Sequence, residues 1–223
     1  MLDTPATFVA CAPLQGRAAG ADDRRGGRSQ PLPITWITGL ESLAVAAAAD
    51  AAGASIALAL EPSWFGSKQS LRDAIAVARA ALPGLDAAVI QGAVPRHHDV
   101  LAAAGIRVVA VEALAPVPRG NRRPAPQGWA CRNVAWGLWE VLIGTTPRPN
   151  LRWLAWAGLG SRPAAGSLHV HRVAEGSSRS NRWLAWAARH AARGGEAATL
   201  AELPALIEGG RDAGLTGSIL KAA

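Results

Sequence analysis

The sequence predicts an α/β protein built as a closed or nearly closed (β/α) barrel, and three observations carry that expectation. Ala87 to Ile90 and Val108 to Val111 are apolar throughout, and between them a helix pattern from Arg96 to Ala104 stops at Gly105. Runs of that kind, apolar on both faces, mark buried parallel strands joined by a crossover helix. Strand and helix patterns then alternate along the chain, giving seven strands from Ile34 onward and eight with Ala6 to Ala10. That number favours a closed sheet over an open one. Finally, 223 residues with 50% hydrophobic content can bury one substantial core, whereas two compact domains would be cramped.

Taken in order, residues 1–32 are a short strand at Ala6 to Ala10 followed by a Gly/Arg-rich stretch centred on Arg24-Arg25-Gly26-Gly27-Arg28. The stretch has too little apolar surface to offset its ordering entropy and is expected to be a flexible loop or arm. Residues 33–223 form the barrel domain. Ile34 to Thr38 is a strand, Leu40 to Ala52 an Ala-rich helix closed by Gly53, and Ser55 to Leu60 the next strand. Pro62 and Gly66 punctuate a loop, after which Ser67 or Ser70 caps a helix with Leu71, Ile75, Ala78 and Leu82 on one face. Beyond the central βαβ unit, Pro116 to Pro126 is a connection, Trp136 to Ile143 a strand, Leu151 to Ala157 a helix and Ser167 to Val173 an alternating strand. Asn181 to Ala192 is a helix, Glu196 to Leu200 a short strand and Leu200 to Ile207 a last helix. Arg-Trp-Leu-Ala-Trp-Ala occurs at Arg152 to Ala157 and again at Arg182 to Ala187, so equivalent helices are expected to pack tryptophans against strands.

The net charge of +7 comes almost wholly from scattered arginines, with Lys68 and Lys221 the only lysines. No basic run is interleaved with aromatic residues, which argues against a nucleic-acid groove. Cys11 and Cys131 have no metal-ligand spacing and read as reduced thiols of a cytoplasmic protein. No apolar segment approaches membrane-spanning length, so no membrane association is expected. The oligomeric state is left open.

The order of motifs resembles the polysaccharide deacetylase superfamily, carbohydrate esterases with a deformed (β/α) barrel. Pro33-Ile34-Thr35-Trp36-Ile37-Thr38, Ala51-Ala52-Gly53-Ala54-Ser55-Ile56-Ala57-Leu58 and Leu71-Arg72-Asp73-Ala74-Ile75 are similar to consecutive family segments. His98 to Ile106, Gly137-Leu138-Trp139-Glu140-Val141 and Ala198-Thr199-Leu200-Ala201-Glu202-Leu203 follow in the family's order. The resemblance implies carbohydrate metabolism and hydrolysis of an N-acyl or amide bond, with a carbohydrate or small amide as substrate. It departs at the metal ligands. Ala59-Leu60-Glu61-Pro62-Ser63-Trp64 stands where the family carries its histidine pair, and Ile90 to Pro95 where it carries an arginine and prolines. The early Asp-Asp pair has no counterpart unless Asp22-Asp23 replaces it; His171 or His169 matches the terminal histidine.

In a barrel the chemistry sits at the carboxyl ends of the strands. This position holds Glu61, Gln91, Glu112, Glu140 and His171. Converging carboxylates and an imidazole supply a general acid and base, or ligands for a divalent metal whose identity stays unknown. The candidate catalytic set is therefore Glu61, Glu112, Glu140 and His171, with Trp64, Gln91, Arg96 and Trp129 as ligand contacts. The competing expectation is that each charged group caps a strand or pairs with an arginine such as Arg96 or Arg172. In that case the chain is a catalytically inactive barrel that binds carbohydrate or a protein partner.

Overall fold

The computed structural model describes residues 5–14, 32–91, 96–112, 130–143, 167–174 and 177–212. The arm centred on Arg24, the connection 113–129, the helix expected at 151–157 with the first tryptophan repeat, and Trp129 lie outside these residues.

Seven parallel strands form a nearly closed barrel: β1 (Thr7–Pro13), β2 (Ile34–Thr38), β3 (Ser55–Leu60), β4 (Ala87–Ile90), β5 (Val108–Glu112), β7 (Trp139–Ile143) and β8 (Leu168–Arg172). β6 (Ala130–Arg132) is an antiparallel edge strand on β7, a hairpin not anticipated from the sequence, because three residues show no period. The ladder runs β6-β7-β5-β4-β3-β2-β1-β8. β7 and β8 approach each other across the remaining seam without a shared ladder. β9 (Glu196–Ala198) pairs with residues Thr7 to Val9 of β1 and β2 with residues Ala10 to Pro13, so the two share one edge of β1 in succession.

The helices lie outside: α1 (Leu43–Ala51), α2 (Lys68–Ala81), α3 (His98–Ala103), α4 (Ser178–Ala191) and α5 (Leu203–Asp212). Their ends follow local chemistry. The Ser67 hydroxyl accepts from the Ser70 amide at 3.0 Å and starts α2. Gly53 (φ +85°) and Gly105 (φ +78°) end α1 and α3 in the left-handed region, where Ala54 N donates to Ala49 O and Ile106 N to Leu101 O. These are Schellman closures that only glycine makes without strain. At the start of α5, Thr199 N and Oγ1 donate to the Glu202 carboxylate at 2.8 and 2.9 Å and Glu202 N donates back to Thr199 Oγ1 at 3.4 Å, the two reciprocal bonds of a capping box.

Burial splits by strand parity into two layers. Ile56, Leu58 and Leu60 of β3, Ala88 and Ile90 of β4 and Val109 of β5 pack outward against α1, α2 and α3. Val9, Cys11, Ile37, Ala57, Ala87, Val89, Val108, Ala110, Trp139, Val141 and Val170 fill the interior. Every residue of β4 is buried, which is why its sequence shows no alternation.

Candidate functional site

The site follows from carrying interior parity to the carboxyl ends. Val89 is interior, so Gln91 continues that face beyond β4; Ala110 sets the same register for Glu112, and Val170 for Arg172. These side chains meet in the barrel mouth. Arg172 Nη1 donates to Glu112 Oε1 at 2.7 Å, from strands that are not ladder neighbours. With its amide oxygen turned toward the guanidinium, Gln91 accepts from Arg172 Nη1 and Nη2 at 3.0 and 2.9 Å. The ion pair is part-buried, with 33% of the arginine and 23% of the glutamate side chain exposed, so the network is fixed yet reachable from solvent. It also joins β8 to β5 and β4 across the seam that no ladder closes.

Beside the network lies Cys11, in register with Arg172 on β8 and fully buried. Burial pushes its thiol up to about 12, with Arg172 opposing the shift and Glu112 adding to it. A thiol so held stays protonated and is no nucleophile.

Of the residues expected from sequence, the structure brings Gln91 and Glu112 together and sends others elsewhere. Glu140 lies between the interior residues Trp139 and Val141 and therefore faces outward, where His98 Nε2 of α3 sits 2.9 Å from its carboxylate. His171, flanking interior Val170, also faces out; its ring lies 4.7 Å from that of Trp183 on α4. The expected convergence of Glu61, Glu112, Glu140 and His171 on one rim is thus corrected: two of its members occupy the opposite face of their strands. Glu61 is exposed at the end of β3 and accepts the Ser63 hydroxyl at 3.3 Å. Trp64 packs on the outer core, and Arg96 is exposed ahead of α3.

Arg172, the residue that organises the mouth, enters the sequence reading only as a pairing partner. Its signal was Val170, because the apolar residue two positions earlier marks the interior face. Among the described residues, no three His, Cys, Asp or Glu side chains gather in a set that could hold a metal ion. None of the described helices is long and apolar enough to cross a membrane.

No family model, curated protein or solved structure matches the chain.

Proposed function

We propose that the chain is a carbohydrate-binding barrel related to the polysaccharide deacetylases, which takes a neutral polyhydroxylated ligand in its mouth without the family's metal chemistry. The observation that carries this reading is the Arg172–Glu112–Gln91 network at the carboxyl ends of β8, β5 and β4. Planar groups fixed by one another offer donors and acceptors in set directions, as adjacent sugar hydroxyls require. Arginine and glutamate cancel in charge, which favours a neutral ligand over an anionic one.

Hydrolysis through Glu61, Glu112, Glu140 and His171 would require groups now on opposite faces of the sheet to meet, so binding is the better-supported activity. A reducing, cytoplasmic setting belongs to the same proposal and is supported by the free, buried Cys11 thiol.

Calorimetric titration with acetylated chitooligosaccharide, run alongside an acetate-release assay, tests it. Saturable binding without acetate release is expected, weakened about tenfold or more in Arg172→Met, since removing a charged hydrogen-bonding partner costs about 1.5–3 kcal/mol. Acetate release abolished by Glu112→Gln would establish the enzyme instead. Absence of binding to neutral glycans would remove the carbohydrate reading.

A further inference from the structure

The mouth network has a neighbour on the side away from the seam. Ala59 of β3, Val89 of β4 and Ala110 of β5 stand opposite one another in register and share the interior face. Two residues further along each chain come Glu61, Gln91 and Glu112, on the same face and on the next interior rung. Glu61 keeps that parity because its backbone is still extended, at φ −76° and ψ 140°, and the chain turns only from Pro62. The loop that begins there is held to the entry of α3, where His97 Nε2 donates to Phe65 O at 3.3 Å. Glu61 is thus positioned beside Gln91 before any ligand arrives, which lowers the cost of binding one.

The three side chains differ in what they can still accept. Glu112 and Gln91 are already bonded to Arg172. Glu61 is exposed, and among the described residues it accepts from the Ser63 hydroxyl alone, at 3.3 Å. Its carboxylate keeps free lone pairs on both oxygens, and only a donor such as a hydroxyl can use them. Neighbouring strands lie about 4.8 Å apart, so the row from Glu61 to Glu112 spans about 10 Å of backbone, more than one sugar ring covers. A ligand confined to the Arg172 end leaves Glu61 idle, whereas a longer one brings hydroxyls to it.

We propose that Glu61 is a specificity-determining residue of the mouth, accepting hydroxyls of a second sugar ring while Arg172, Glu112 and Gln91 hold the first. Resting on the carbohydrate reading above, this makes the preferred ligand a glycan of two or more rings, and it gives Glu61 a role that needs neither a metal nor a proton transfer.

Calorimetric titration of wild type, Glu61→Ala, Glu61→Gln and Arg172→Met with N-acetylglucosamine and with its β-1,4-linked disaccharide tests it. The disaccharide is expected to bind wild type about tenfold more tightly, the usual value of one hydrogen bond to a charged group. Glu61→Ala should erase that gain and leave monosaccharide binding unchanged, and Glu61→Gln, which keeps one acceptor oxygen, should lose only part of it. Arg172→Met should weaken both sugars. Equal affinity of wild type for the two sugars would overturn the proposal, as would a disaccharide advantage that survives Glu61→Ala; in either case the carbohydrate reading stands. Equal weakening of both sugars by Glu61→Ala would overturn it too, since Glu61 would then touch the first ring. Binding of neither sugar would remove this proposal and the carbohydrate reading together. Circular dichroism of each variant before titration separates a lost contact from a lost fold, and Glu61, being exposed, can be changed without disturbing the core.

Discussion

Cys11 shows how one side chain reports on the barrel interior. It is 0% exposed, on the same face of β1 as Val9 and in register with Arg172 of the neighbouring strand. Its thiol is raised from 9.0 to about 12, chiefly by desolvation. The unfolded chain therefore gives up this proton near pH 9 while the folded chain keeps it. Stability from this group is whole below pH 9 and declines from there towards pH 12, by about 1.4 kcal/mol per pH unit. Urea unfolding of wild type and Cys11→Ala from neutral to alkaline pH should show the wild type losing ground relative to the variant only above pH 9. Parallel curves would mean that the thiol is not shielded. Compartment and spacing make this cysteine a reduced thiol in the sequence reading; its burial beside Arg172, under the influence of the Arg172 and Glu112 charges, links residues 11, 112 and 172 in a way no local pattern encodes.

Among the elements, α4 explains why His171 of the strand Leu168–Arg172 lies outside the barrel mouth in which the sequence places it. Leu-His-Val-His-Arg alternates clearly, so its being a strand was legible. Which half faced the interior was not, because a barrel strand is covered on both sides and α4 gives the histidines an aromatic roof. His169 stacks on Phe8 of β1 at 5.3 Å and meets Trp186 edge-on at 5.4 Å, while Trp186 meets His190 at 5.0 Å. The second copy of the tryptophan repeat thus seals helix against strand, as its spacing suggested. Burial, and secondarily His190, lower the pKa of His169 below the ordinary 6.5. Unfolded chains take up a proton near that value, and the folded chain resists it. Packing of α4 is accordingly complete above pH 6.5 and weakens as pH falls through the folded value. Protection factors along α4, which remove the intrinsic pH dependence of amide exchange, should fall on acidification, and His169→Phe, which keeps an aromatic ring but not the titration, should flatten that response. An unchanged acid response in the variant would shift the cause to other groups.

For the whole molecule, the barrel is sealed at its amino end by the chain's return. Leu200, Leu203 and Ile207 belong to the interior cluster with Trp139, Val141 and Val170, so α5 acts as a plug as well as an outer helix. Buried hydrogen bonding fixes the plug's entry, since Leu200 N donates to the Thr35 hydroxyl at 2.9 Å from within β2. One turn along, the Trp139 indole donates to Glu208 at 3.4 Å and Arg132 lies 3.5 Å from the same carboxylate, tying α5 to the β6–β7 hairpin. The periodicity of Leu200 to Ile207 announced a helix but not this position, because a plug and a surface helix both need one apolar face. Interior residues on β3, β4 and β5 are small, with Ala57, Ala87 and Ala110 beside the single large Trp139, so little material in the cluster can shift into a void. Leu203→Ala should therefore sit in the upper part of the usual range for buried leucine, about 2–5 kcal/mol. Glu208→Ala, at the solvent side of the same helix, should cost about 1 kcal/mol or less. Chemical denaturation of both variants measures the contrast. Equal small losses would place α5 outside the cooperative core, and the barrel would then have to be closed by something other than its own last helix.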